Sequence, residues 1–144
     1  MSENTATAES MEIPQEGAFC WTEIATNDLE TCKSFYSNVF GWEMQKSNAV
    51  GEEMEYQEFN ISGGYPMGGM FQMSAEMYGG ELPPPHFVSY VAVENVDDTA
   101  SKAFDLGGTI VSPPMDIPNV GRFAVIQDPT GAAFSIIKLS EGSV

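Results

Sequence analysis

Along the chain, alternating apolar and polar positions give way to helical spacing and then to alternation again, and this succession occurs twice. The run Gly-Ala-Phe-Cys-Trp-Thr-Glu-Ile-Ala-Thr at 17–26 is rich in aromatic and β-branched residues and predicts a strand. Asn27 or Asp28 then offers a cap, and Cys32, Phe35, Tyr36, Val39 and Phe40 recur at helical spacing until Gly41, which predicts a helix between those marks. Short strand-like runs follow at 42–46, 56–61 and 70–73.

The second half keeps the same order at an offset of 67 residues: the stretch from Trp21 to Leu29 lies over that from Val88 to Val96, and Gly41 lies over Gly108. Strand-like runs at 109–111, 122–127 and 133–139 complete it. Identity between the halves is low, but strand, cap, helix and terminating glycine agree in spacing, and agreement across levels is evidence of one unit used twice. Each unit reads β-α-β-β-β. The segment Glu81-Leu82-Pro83-Pro84-Pro85 lacks amide donors at its prolines and predicts an extended linker. A four-strand sheet with a single helix leaves one face uncovered, so the halves are expected to pair. The organisation expected is a tail over 1–16, too poor in apolar periodicity to order, and one domain over 17–140, with modules at 17–80 and 86–140.

Composition narrows the partners. Five basic against 21 acidic residues give a net charge of −16, which repels nucleic acid and anionic membrane. The same charge suits a cationic ligand, although the plain reading is a solvated acidic surface. No apolar run is long enough to span a bilayer and residues 1–16 lack the marks of a secretory signal, so a cytoplasmic protein is expected. Two cysteines, Cys20 and Cys32, are too few for a disulfide framework and are expected to be reduced packing residues.

Trp21-Thr22-Glu23-Ile24, Asn27-Asp28-Leu29, Phe35-Tyr36 and Phe40-Gly41-Trp42, together with Asp128-Pro129-Thr130-Gly131 and Phe134-Ser135-Ile136, resemble the vicinal oxygen chelate superfamily of glyoxalases, bleomycin-resistance proteins and extradiol dioxygenases. The resemblance covers 17 to about 140. It implies an α+β fold of two paired β-α-β-β-β modules forming a concave, mostly antiparallel eight-strand sheet with helices on the outer face, often reinforced by a second chain; a homodimer is therefore expected. In metal-dependent members of the superfamily, side chains on the first and last strands of each module hold a divalent ion. The matching positions here are Trp21 and Val88, which cannot ligate, and Ser135 and Gln72, of which only Gln72 offers a plausible neutral oxygen. One amide and one hydroxyl would not retain an ion of the zinc, nickel or iron type, so neither a metal nor another cofactor is expected. The single histidine, His86, stands before the matching position and is expected to be a surface or hydrogen-bonded residue.

Strand alternation then allocates the faces. With Trp21 in the concavity, Glu23, Ala25, Val88, Tyr90 and Ala92 share it, and Met70, Gln72, Ala133, Ser135 and Ile137 line it from the closing strands. Cys20, Thr22, Ile24, Phe71, Phe134 and Ile136 are allotted to the helix side. Glu23 is the sharpest candidate, because a carboxylate among aromatic and apolar groups suits a general base or a cation-binding group, with Tyr90 as its acid-base companion. The plainer alternative has Glu23 ordering the pocket through Tyr90, Gln72 or a water. Arg122 can clamp an anionic ligand or pair with a nearby acid such as Asp116. The glycine- and methionine-rich 63–70 reads as an adaptable flap or a tight turn. The function expected is binding of a small, partly aromatic or apolar molecule by Trp21, Met70, Gln72, Val88, Arg122 and Ser135. The alternative is a lyase, isomerase or dioxygenase of the same superfamily, working through a metal or through Glu23.

Overall fold

Both helices start on the same device. Asp28 accepts the amide of Thr31 at 3.1 Å and Asn95 accepts that of Asp98 at 2.9 Å, two bonds separated by the predicted offset of 67 residues. Each side chain satisfies one of the four amides that a helix start leaves without a partner. The helices are α1 (Leu29–Phe40) and α2 (Val96–Asp105). Gly41 closes α1 in the left-handed region at φ 75°. In α2 the left-handed glycine is Gly107 at φ 101°, one position before the expected Gly108, so the two helices differ in length.

The computed structural model describes residues 14–47, 55–118 and 120–140. The expected tail lies outside these residues except at 14–16, where Glu16 accepts the Glu94 amide at 2.7 Å. The strands are β1 (Phe19–Thr26), β2 (Glu43–Lys46), β3 (Tyr56–Asn60), β4 (Gly68–Gln72), β5 (His86–Ala92), β6 (Thr109–Ile117), β7 (Gly121–Gln127) and β8 (Ala133–Leu139). With two helices they give the α+β fold and the two β-α-β-β-β modules read from the sequence. A 3-10 turn at Ala75–Tyr78 was not expected. Among the described residues no helix is long and apolar enough to cross a membrane.

The chain divides into two compact units, Trp21–Val88 and a second made of Met1–Cys20 with Ser89–Val144. In the first, the strand order is β2-β3-β4-β1, with β1 and β4 parallel and the other pairs antiparallel. Ile24, Leu29, Phe59 and Met70 form its core beneath α1, flanked by Cys32, Tyr36, Trp42 and Met44. Residues 61–64 turn tightly, the Gly64 amide reaching the Ile61 carbonyl, which favours the turn over the flap in that part of the glycine-rich segment.

The second unit has the order β5-β8-β7-β6, again with its first and last strands parallel. Val93, Val96, Ala100, Ala124, Ile126 and Ile136 make its core. β6 continues through Pro113 and Pro114, well past the expected 109–111. It lies at the outer end of its unit's strand order, and its register shifts between Ile110 and Ser112 and again between Ser112 and Met115. Irregular end strands tolerate proline because fewer ladder amides are needed there. The Gly17 and Ala18 backbones bond to Ala92, so the residues that open β1 belong with this unit.

Replacing Asn95 by Ala removes the α2 cap and is expected to cost about 1 kcal/mol of stability, read as a lower urea midpoint at unchanged slope. A midpoint equal to that of the unaltered chain would show that the cap contributes nothing.

Candidate functional site

Alternation along β1 sorts its side chains as expected at three positions. Ile24 enters the core beneath α1, whereas Trp21 and Ala25 join Tyr56, Phe71, Met73 and Tyr78 in a separate cluster. Glu23 is 9% exposed and is tied to this second cluster by a directed chain of hydrogen bonds. The Trp21 indole Nε1 donates to the Tyr56 hydroxyl at 2.9 Å, and that hydroxyl donates to Glu23 Oε2 at 2.8 Å. An indole N–H can only donate, and the single proton of the Tyr56 hydroxyl is directed onward to Glu23, so the chain runs from indole to carboxyl.

Register explains how Tyr56 arrives there. It stands across from Phe71 on β4, and Phe71 stands beside Ala25 on β1. The Tyr56 and Phe71 rings lie nearly parallel, their centroids 6.3 Å apart. Gly69 stands beside Glu23, and a Cβ on Gly69 would collide with the Tyr56 ring and hydroxyl. Glycine therefore leaves the room through which the phenol reaches the carboxylate. Burial raises the Tyr78 phenol above its ordinary pKa, and the charge of Glu23 adds to the effect.

Several expected positions are revised. The parallel register places Met70 with Ile24 and Phe71 with Ala25, so the faces of β4 are exchanged relative to the expectation. Met70 is fully buried under α1, and Phe71 belongs to the Glu23 cluster. Gln72 accepts the Leu29 amide at 2.9 Å, stabilising the start of α1 instead of lining the site. Thr22, allotted to the core, is exposed. Gln72 is not the counterpart of Ser135: Ser135 stands beside Tyr90, and the residue beside the equivalent Glu23 is Gly69.

In the second unit Tyr90 and Ser135 are buried neighbours on β5 and β8, and Ser135 Oγ is a buried hydroxyl with no hydrogen-bond partner among the described residues. Val88 is half-buried. The guanidinium of Arg122 is shared between Asp97, at 2.8 and 3.0 Å, and Asp116, at 3.0 Å. These acids raise its pKa, and Arg122 lowers that of Asp97. His86 Nδ1 lies 2.8 Å from the Pro84 carbonyl, which requires the proton on that nitrogen. Among the described residues no three His, Cys, Asp or Glu side chains gather into a metal-holding group. A shallow depression between α1 and β2, edged by Lys33, Ser37, Trp42 and Met44, contains none of the Glu23 cluster.

Tyr56 is the residue sequence reasoning missed. Its segment, Tyr56-Gln57-Glu58-Phe59-Asn60, was recognised as a strand, but only its register against β4 tells which strand face meets Glu23.

The Glyoxalase/Bleomycin resistance protein/Dioxygenase superfamily matches residues 18–136, and the chain belongs to it. It is 36% identical over 132 residues to a Mycobacterium tuberculosis protein named "Putative glyoxylase CFP32", covering 88% of this chain and 46% of that one. It is 30% identical over 135 residues to the anthracycline biosynthesis protein DnrV of Streptomyces peucetius, covering 94% of this chain and 46% of that one. The chain thus spans under half the length of these relatives. Among solved structures, methylmalonyl-CoA epimerase in complex with methylmalonyl-CoA and ammonium shares the fold at a TM-score of 0.60 and 18% identity, over 88% of this chain and 96% of that one. The epimerase from Mycobacterium tuberculosis does so at 0.59 and 12%, over 91% and 95%.

Tyr56→Phe deletes both bonds of the Trp21-Tyr56-Glu23 chain and is expected to destabilise the protein by about 1–3 kcal/mol in chemical denaturation. An unchanged midpoint would mean that the hydroxyl contributes nothing net. Arg122 gives a pH signature. Because Asp97 has a lowered folded pKa, its contribution is full above the ordinary carboxylate pKa and is lost as pH falls through the lowered value. Arg122→Ala should flatten that acid limb in melting temperatures measured between about pH 2 and 6; an unaltered limb would remove the pair from the account.

Proposed function

We propose that this chain is a metal-free small-molecule-binding member of its superfamily, and that Trp21, Glu23 and Tyr56 form the polar anchor of its ligand. The observation that carries the reading is the Trp21-Tyr56-Glu23 chain of hydrogen bonds, one end of which is the position where the superfamily resemblance implies a metal ligand. The donor set does not fit a divalent ion: the matched positions hold an indole, a valine and a serine hydroxyl, and the residue that the register sets as the counterpart of Ser135 is Gly69, which has no side-chain ligand.

The charge inventory speaks against the type of ligand held in the epimerase structure. A CoA thioester brings several phosphate charges, whereas this chain has five basic residues and a net charge of −16. Arg122 is shared by two aspartates and Lys33 is paired with Glu30. A neutral or cationic molecule is the better match. The second reading, acid-base lyase or isomerase chemistry, draws on the same buried carboxylate and its phenol partner, groups suited to moving a proton.

We also propose that two copies meet through the outer face of α1. Phe35, Phe40 and Phe87 are 56%, 60% and 58% exposed, and residues 34–42 carry no charge. With Val39 these side chains expose on the order of 400 Å² of apolar surface, about half of what one partner contributes to a standard interface. In so acidic a chain, an uncharged face is where like copies approach with least repulsion. A second copy also supplies a length of chain comparable with what the relatives carry outside the match.

Native mass spectrometry on protein purified without chelator is expected to give a dimer free of divalent ions; a stoichiometric metal overturns the metal-free reading, and a monomer overturns the pairing. For ligand binding, fragments of each charge class are titrated into ¹⁵N-labelled protein while the Trp21 and Trp42 indole signals are followed. Binding at the anchor moves Trp21 and leaves Trp42 in place. A Trp21 signal indifferent to every fragment overturns the anchor.

A further inference from the structure

We infer that the 3-10 turn at Ala75–Tyr78 is a lid over the Trp21-Tyr56-Glu23 anchor, with the Tyr78 ring as its latch and Gly79-Gly80 as the hinge on which it lifts to admit a ligand. The inference rests on the anchor reading and says how the anchor is reached.

The anchor is covered. Glu23 and Tyr56 are each 9% exposed, and Phe71 and Met73, which pack with Tyr56, are 7% and 3% exposed. A small molecule therefore meets the carboxyl group only after a neighbouring group has moved. Most members of the cluster are costly to move. Trp21 and Ala25 stand on β1, Tyr56 on β3 and Phe71 on β4, all within paired strands, and the Met73 amide is bonded to the Thr26 carbonyl at 2.8 Å. Tyr78 instead joins the cluster from the turn.

The turn itself is lightly held. None of its four residues is buried, and Ser74, at its start, makes no side-chain cap bond. Its backbone bonds from the Met77 amide to the Ser74 carbonyl and from the Gly80 amide to the Ala75 carbonyl close within the segment. A 3-10 turn has poorer hydrogen-bond geometry than an α-helix, and a segment with few buried groups opens at lower free energy than the strands beside it. At its far end Gly79 and Gly80 lie in the left-handed region, at φ 74° and 116°, with open space where a Cβ would stand. Glycine passes between left- and right-handed backbone without a steric penalty, which suits a hinge. Tyr78 is half-buried, and the charge of Glu23 is, after burial, the second cause of its raised phenol pKa, which sets the latch near the group it covers.

The test is native-state hydrogen exchange on the full ¹⁵N-labelled chain, without ligand, read at the Met77 amide, the Trp21 indole and the Met70 amide at low urea. The Met77 amide and the Trp21 indole are expected to exchange through an opening that barely depends on urea, whereas the Met70 amide follows the steeper slope of global unfolding. Gly80→Ala strains the closed turn without a clash and is expected to speed both of the first two signals about tenfold, the equilibrium equivalent of placing a Cβ in left-handed backbone. In a Tyr78→Ala background, where the latch is gone, the same substitution is expected to leave the Trp21 indole rate unchanged. A Trp21 indole that ignores Gly80→Ala in the otherwise unaltered chain overturns the lid, because the turn then opens without uncovering the anchor. An indole that responds equally with and without Tyr78 overturns the latch, and exchange of the Met77 amide only at the global slope overturns the independent opening. These outcomes are separate from the fragment titration, which judges the anchor itself.

Discussion

The parallel pairing of the first and last strands in each module is the constraint on which everything else rests. In Trp21–Val88 it sets Ile24 beside Met70 and Ala25 beside Phe71, and in the other unit it sets Tyr90 beside Ser135 and Val91 beside Ile136. Because side chains alternate with a period of two, this register alone decides what lies beneath the helix and what stands on the opposite face. A shift of one residue exchanges the two sets. The hydrogen-bonded carboxylate, its phenol and its indole exist as a group only in the register observed.

Two glycines make that register sterically available in the first unit. A Cβ at Gly68 would run into the Thr22 carbonyl and the Phe59 ring, and one at Gly69 into the Tyr56 ring. The close approach on one side brings Phe59 into the core beneath α1, where it stacks on Trp42 at 4.6 Å. On the other it brings Tyr56 over Glu23. Core packing and site geometry are thus consequences of the same pair of missing side chains, one on each face of β4.

The two modules share a scaffold and differ in what they do with it. The caps of α1 and α2 form the same bond at the same offset. Position 23 is Glu and its equivalent is Tyr90; the residue beside the first is Gly69 and beside the second is Ser135. One module therefore carries a buried acid braced by a phenol from a third strand, and the other a pair of neighbouring hydroxyl residues. Duplication supplies a repeated frame in which side chains facing away from the helix are free to diverge, since the helix-facing ones are constrained by packing.

The local signals in the sequence determined the elements: β-branched and aromatic runs, capping residues ahead of each helix, and left-handed glycines after them. These are short-range preferences of the backbone, so the two modules and their caps were legible from spacing, whereas the face of Trp21 was what the superfamily resemblance implied. Arg122's attachment to Asp116 was also within reach, because the two residues face each other across adjacent strands close in sequence. The partnership of Tyr56 with Glu23, the exchange of faces on β4 and the attachment of Gln72 to α1 were decided by tertiary structure. Each joins residues more than 30 positions apart through strand register. Register is fixed by the packing of whole strands, and no short stretch of sequence contains that information.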